Sequence, residues 1–416
     1  MAKYYEPMIY MCTPENPNTM GACVVLKEPV DGDVLSEVVE ELRQRFPYFY
    51  VRAEAVGNDL LPKSNPLPMT VRNTWSPIDL CSEAANYHLA AFKYEGNRLA
   101  LEMSHSISDG AGFLPYIKSV LFLYLSRKTG ESFDREGFRL PGDMIPESET
   151  GDPFEGLNID NAEPPLYQNE TVQDFYRMNN TAEKANRYYY LKLSEEQVMR
   201  YCKDNDGSPN VLISVLMAKA IRRADPKSDK TISACVAIDH KAILGNYDNY
   251  RMFANVAELD FPKDGDLDDI MKGCTVARGQ LMLQTQPENS LWAMKQRRQT
   301  YAQLEQMPLQ MKFDRLAAAA GRPRWSFAVS YANSRSFGPL DPYIEEVYLL
   351  SQPIVIDMAF EVACINHYFF LTIAQNFSSE KYFEAFLSEL TEAGIDHEIR
   401  YRDETGLCGF HYAQHS

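Results

Sequence analysis

Ser104-His105-Ser106-Ile107-Ser108-Asp109-Gly110-Ala111-Gly112-Phe113 is the stretch that decides how the rest of the chain is read. It follows an apolar run and leads into a helical pattern, so an imidazole, a carboxylate and two glycines gather at one strand-to-helix corner. Upstream, residues 87–94 and 98–103 are β-like and are joined by Glu95-Gly96-Asn97, which predicts a hairpin. Leu99, Leu101, Met103 and His105 share one face under the two-residue period, so His105 is expected to continue an apolar row. Downstream, Phe113, Ile117, Val120, Leu121, Tyr124 and Leu125 recur at spacings of three and four. They predict an amphipathic helix ending near Gly130, with Pro115 in its first turn. Each motif residue also has a plain structural reading: His105 as a buried imidazole satisfied by a carbonyl, Asp109 as a helix cap, Gly110 as a turn.

Working outward, 416 residues are too many for one core and predict two domains of roughly 150 to 200 residues. A hydrophobic content of 45% fits a folded chain, and a net charge of −17 argues against binding a nucleic-acid backbone. A local basic patch remains compatible with an anionic co-substrate. The eight cysteines (12, 23, 81, 202, 235, 274, 364 and 408) are dispersed without Cys-x-x-Cys spacing, so neither a metal centre nor a dithiol redox site is expected. They read as small buried hydrophobes. The first residues lack a basic region followed by an apolar run, and no stretch reaches the 18 or so apolar residues of a membrane span. A cytoplasmic protein is expected.

The first half shows strand candidates at 21–26 and 48–55, with Asp33 as the expected cap of the helix between them. Prolines 62, 66, 68 and 77 make residues 61–77 an extended edge rather than core. Residues 141–165 are rich in Gly, Pro, Asp and Glu and read as a crossover. In the second half, a strand at 188–193 precedes a Ser-x-x-Gln capping box at Ser194 and Gln197. A helix opening at Ser208-Pro209 leads to a strand at 231–238, which ends in Asp239-His240-Lys241. A mostly helical stretch follows at 266–304, broken near Pro287. Then come a strand at 325–331, a hairpin around Asn366 and a helix at 380–393. Strand, helix, strand therefore recurs, giving an α/β expectation with an N-terminal domain over 1–150, a linker over 151–185 and a C-terminal domain over 186–416.

The pattern His105-x-x-x-Asp109-Gly110, in this setting, resembles the signature of the acyl-CoA-dependent acyltransferase superfamily. That superfamily includes chloramphenicol acetyltransferase, alcohol acetyltransferases and the condensation domains of non-ribosomal peptide synthesis. The resemblance implies two chloramphenicol-acetyltransferase-like domains, each a mixed sheet with helices, around a central tunnel. It implies acyl-CoA as a co-substrate, no permanently bound cofactor and no metal. His105 would be the general base, taking a proton from an acceptor alcohol, or an amine, as it attacks the thioester. Transfer would be direct, in keeping with the lack of a Gly-x-Ser-x-Gly elbow.

Asp109 would be a structural ion held by Lys241, which stands where relatives often carry the arginine of Asp-x-Arg, and Gly110 would leave room for substrate. Arg251-Met252-Phe253-Ala254-Asn255-Val256 is similar to a Phe-Gly-Asn segment of condensation-type sequences. Ser330 or Asn333 would donate to the oxyanion at a strand end resembling the family's Ser-Asn-x-Gly region. Ser336-Phe337-Gly338-Pro339 lacks the Asp and Trp of the plant Asp-Phe-Gly-Trp-Gly motif. Arg297, Arg298 and Arg324 are candidates for cofactor phosphates, against the plainer reading of a solvated face. His240 is not assigned to catalysis. A free-standing condensation domain acting on acyl carrier protein thioesters is the alternative enzyme reading, and a silent binding relative is the non-enzymatic one. Ser104 occupies the place where condensation domains commonly have a second His, which favours the acyl-CoA reading.

Overall fold

Strand β1 (Thr19–Leu26) is buried at all eight positions because antiparallel neighbours flank it on both sides. The computed structural model that shows this describes residues 6–178, 183–332 and 336–412. After β1 come α1 (Gly32–Leu42), β2 (Val51–Val56), β3 (Asp59–Ser64), β4 (Val71–Asn73), β5 (Ala90–Glu95), β6 (Arg98–Ser104) and α2 (Gly110–Thr129). The crossover holds one short helix, α3 (Glu147–Thr150). The second half runs β7 (Lys184–Ser194), α4 (Glu195–Asp204), α5 (Pro209–Ala224), β8 (Ile232–Asp239), α6 (His240–Leu244) and β9 (Ala254–Phe261). Then follow α7 (Ile270–Gln284), α8 (Pro287–Glu305), α9 (Leu309–Ala320), β10 (Trp325–Tyr331), β11 (Ile344–Ser351), β12 (Ile356–Ile365), β13 (Tyr368–Phe377), α10 (Lys381–Glu392) and β14 (His397–Asp403).

Two mixed sheets organise these elements, one per lobe. The first has the order β11-β1-β6-β5-β4, and the second β14-β7-β13-β12-β10-β8-β9. Within the second sheet β10 runs parallel to both β8 and β12, while the outer pairings are antiparallel. Helix α5 starts with Pro209 at its first turn and is buried along most of its length, between the sheet and helices α7 and α10. The expected α/β class is what the molecule shows.

Several local expectations change. Asp31, not Asp33, caps α1, its Oδ1 accepting from the Asp33 and Val34 amides at 3.2 Å. Pro115 sits at the sixth position of α2, past the first turn, and is accommodated inside the helix. Ser194 caps α4, but Gln197 does not close the box: it exchanges hydrogen bonds of 2.7 Å with Asp396. Helix α9 and strands β11 and β14 had no counterpart in the sequence reading. β11 is the consequential one, since it leaves the second half to pair with β1. The tail returns too, where Cys408 donates its amide to Glu102 at 2.5 Å and Gly409 accepts from Leu80.

The crossover is pinned rather than slack. Glu149 on α3 is buried against Arg45 at 2.6 Å and Arg139 at 2.9 Å, and it accepts from the Tyr48 hydroxyl. Burial pushes its carboxyl up, yet these partners win and hold it below the ordinary range.

Candidate active site

The ladder of β6 stops at Ser104, and the next amide, His105 N–H, donates to the Asn18 carbonyl at 2.9 Å. His105 therefore stands in a turn, one residue beyond the end of β6, rather than continuing the apolar row that the alternation predicted. The turn is closed by Ile107 N–H to the Ser104 carbonyl at 3.2 Å and by the Ser104 and Ser106 hydroxyls, 2.8 Å apart. His105 is only half-buried, whereas Leu101 to Ser104 before it and Ser106 to Asp109 after it are buried. Its Nδ1 lies 2.9 Å from the Ser108 carbonyl. A carbonyl only accepts, so this contact selects the Nδ1–H tautomer and leaves the Nε2 lone pair as the proton acceptor.

Asp109 caps α2, with Oδ1 accepting from Gly112 N–H at 2.8 Å. The same oxygen meets Lys241 Nζ at 2.5 Å, and Oδ2 accepts from Phe253 N–H at 2.7 Å. Both charged side chains are almost wholly buried, so the pair joins the lobes through a dry contact. Asp239 caps α6 by accepting from Lys241 N–H at 2.9 Å, which positions the lysine. Burial, and next the Asp109 charge, raise the Asp239 carboxyl above its ordinary value. Lysine offers this site a point charge rather than a planar fork, and Phe253 N–H supplies the second donor.

The segment before Phe253 also grips the corner. Ser108 Oγ donates to the Tyr250 carbonyl at 2.7 Å. A Cβ on Gly112 would lie 2.2 Å from that carbonyl oxygen, whereas one on Gly110 would meet open space. The glycine demanded by close approach is thus Gly112, while Gly110 is the first residue of α2 and its backbone requires no glycine. Beside the corner lies a cavity of about 250 Å³, bounded by Val51, Leu60, Ser106, Ile107, Tyr250 and Met252 among others.

The other candidates are scattered. Ser330 lies next to Glu361 on the neighbouring strand, and Asn333 falls outside the described residues. Arg297 donates to the Ala254 carbonyl at 2.6 Å, Arg298 pairs with Asp160, and Arg324 is exposed at the start of β10. His240 is buried with no hydrogen-bond partner on either ring nitrogen among the described residues. Burial, reinforced by Arg297, lowers its pKa from the ordinary 6.5 to about 3. All eight cysteines are buried and outside any disulfide, and burial pushes the thiols of Cys12 and Cys23 up to about 12, which suits filler rather than nucleophiles. No cluster of potential metal ligands occurs among the described residues. No described helix is long and apolar enough to cross a membrane.

A two-lobed α/β body, each lobe built on a mixed sheet, is a fold that this chain shares with solved condensation domains and with a protein crystallised with coenzyme A. Solved structures give the particular likenesses. Polyketide synthase associated protein 5 from Mycobacterium tuberculosis superposes with a TM-score of 0.60 at 14% identity, covering 93% of this chain and 95% of its own. TRI101 of F. sporotrichioides, complexed with coenzyme A and T-2, gives 0.54 at 14% identity over 96% of this chain and 99% of its own. The first condensation domain of the calcium-dependent antibiotic synthetase, in complex with a substrate analogue, gives 0.54 at 12% identity over 90% and 91%. At such identities the likeness is one of fold. No protein-family model and no curated protein sequence matches the chain.

Proposed function

We propose that the protein transfers an acyl group, acetyl in the simplest case, from coenzyme A to a hydroxyl of a small-molecule acceptor, an amine being the lesser alternative. His105 Nε2 takes the hydroxyl proton as the oxygen attacks the thioester carbonyl. The tetrahedral intermediate collapses, the carbon–sulfur bond breaks, and the imidazolium returns its proton to the departing thiolate, so that coenzyme A leaves as the thiol and His105 is neutral again. The anchoring of Nδ1 on the Ser108 carbonyl is the observation that carries this reading, because it presents Nε2 as a base without a carboxylate partner. The coenzyme A in the TRI101 complex supports the choice of donor.

In this scheme Asp109 and Lys241 act structurally by holding the corner between the lobes, and Gly110 leaves open space beside the base. Ser330 or Asn333 is the proposed oxyanion donor. For Ser330 that role requires its hydroxyl to turn from Glu361. Among the cations, Arg324 is the one whose exposure suits a phosphate, since Arg297 and Arg298 are engaged within the protein. Nothing bound permanently is needed, and a cytoplasmic setting is part of the proposal. The second reading, a free-standing condensation domain acting on carrier-protein thioesters, is supported by the likeness to condensation domains at a similar TM-score.

Thiol release from acetyl-CoA tests the proposal. It is expected to depend on an added alcohol and to fall by about 10²- to 10⁴-fold in His105→Ala, with the melting temperature unchanged. Retained turnover in that variant removes His105 from the base role. Indifference to every acyl-CoA, with activity on a loaded carrier protein, moves the protein to the second reading.

A further inference from the structure

Glu361 is a half-buried acid that the proposed reaction does not use. The buried carboxylates Glu102, Asp109, Glu149, Glu346, Asp357 and Glu389 each meet a lysine or arginine. Glu258 instead takes donors from Asn169, Thr171 and Trp325. Glu361 meets no cation among the described residues; its neighbours are the hydroxyls of Ser351 and Ser330. Burial pushes its carboxyl up to about 7 against the opposing pull of those hydroxyls.

Its surroundings form a half-buried polar patch at the edge of the core. On β12, Glu361 is in register with Ser330 of β10 on one side and Thr372 of β13 on the other. Thr372 Oγ1 is buried without a hydrogen-bond partner. Alanines 359, 363 and 374 on this face belong to the buried core, whereas Glu361, Ser330 and Ser351 stay partly accessible. The patch also lies at the His105 end of the molecule. Ser351 is paired with Met20 and Met20 with Met103, so Ser351 stands two strand spacings, about 10 Å, from the strand that delivers His105.

We propose that Glu361, with Ser351 and Thr372, is a recognition site for an ammonium group on the acyl-accepting molecule, separate from the hydroxyl that is acylated. The identity of that hydroxyl as acceptor rests on the acyltransferase reading; the ammonium site does not. An interior carboxylate without a cation is costly, and a ligand that brings the cation offsets that cost while Thr372 Oγ1 gains a partner. A neutral alcohol of the same length does neither.

The test compares 6-aminohexan-1-ol with hexan-1-ol at pH 8, by calorimetry and by thiol release from acetyl-CoA. Wild type is expected to bind the amino alcohol about ten- to a hundredfold more tightly, and Glu361→Gln to lose that preference while binding hexan-1-ol as before. Equal binding of the two probes by wild type overturns the proposal even if the variant does not fold. A preference that survives Glu361→Gln overturns it as well. Thiol release with hexan-1-ol but no preference in binding sinks the ammonium site and leaves the acyltransferase reading standing. A Glu361-dependent preference without thiol release from any acyl-CoA does the reverse.

Discussion

Two buried lysine–carboxylate pairs show how differently the same chemistry serves this molecule. Lys93 and Glu102 lie on adjacent strands of one hairpin, 2.8 Å apart, and are almost fully buried. Lys241 and Asp109 are just as buried at 2.5 Å, but they come from opposite lobes. The hairpin pair is created by the register of β5 and β6, with Glu102 also receiving the Cys408 amide from the tail. The crossing pair exists only when the lobes dock, and Asp109 spends its remaining capacity on the α2 cap and on Phe253. One secures a sheet. The other ties the position of the His105 turn to the position of the second lobe.

The largest expected effects come from removing either acid. Glu102→Ala and Asp109→Ala each leave a buried ammonium unpaired and should cost about 3–5 kcal/mol in urea denaturation. Asp109→Ala sits at the upper end because the cap is lost as well. The comparison breaks if thiol release per folded molecule falls equally in both, because only Asp109 holds the corner. Next in size, Gly112→Ala should destabilise by about 1–3 kcal/mol through collision with the Tyr250 carbonyl, while Gly110→Ala stays within about 0.5 kcal/mol. Equal effects at the two glycines would show that the second lobe does not press on the corner as closely as the geometry states.

The last effect is a pH dependence beside the crossing pair. His240 is neutral in the fold down to about pH 3, while the unfolded chain takes up a proton below 6.5. The unfolded state then binds more protons, so stability falls as pH drops from 6.5 towards 3. His240→Leu should flatten that part of the curve, read as urea midpoints at pH 7 and 4.5. An unchanged slope would mean that the imidazole charges within the fold.

Much of this was legible in one dimension because it is local. The β5–β6 hairpin, helix α2 with its Gly130 end, helix α5 behind Pro209 and the strand carrying Ser330 all follow from periodicity and turn residues within short windows. His105 and Asp109 were identified as a cluster for the same reason, and Lys241 as Asp109's partner through the family resemblance. What escaped has no local signal. β11 is a strand whose assignment to the first sheet depends on docking against β1, far away in sequence. The contact on Gly112 arises from the Tyr250 carbonyl, a backbone atom that any residue type would present. Glu361 looks like an ordinary polar break in an apolar strand until β10, β11 and β13 surround it.

The sequence by itself determined the chemistry available at the corner, since an imidazole three residues before Ser108 can bond that carbonyl through a single turn. Tertiary structure alone decided what the corner faces. Lys241, Phe253 and Tyr250 reach Asp109, Ser108 and Gly112 across more than 130 residues of chain. The reason is physical: hydrogen bonds within a turn are set by backbone dihedrals, which residue types bias directly. Burial of a charge between two lobes is set by how whole sheets pack, which no short window of sequence encodes.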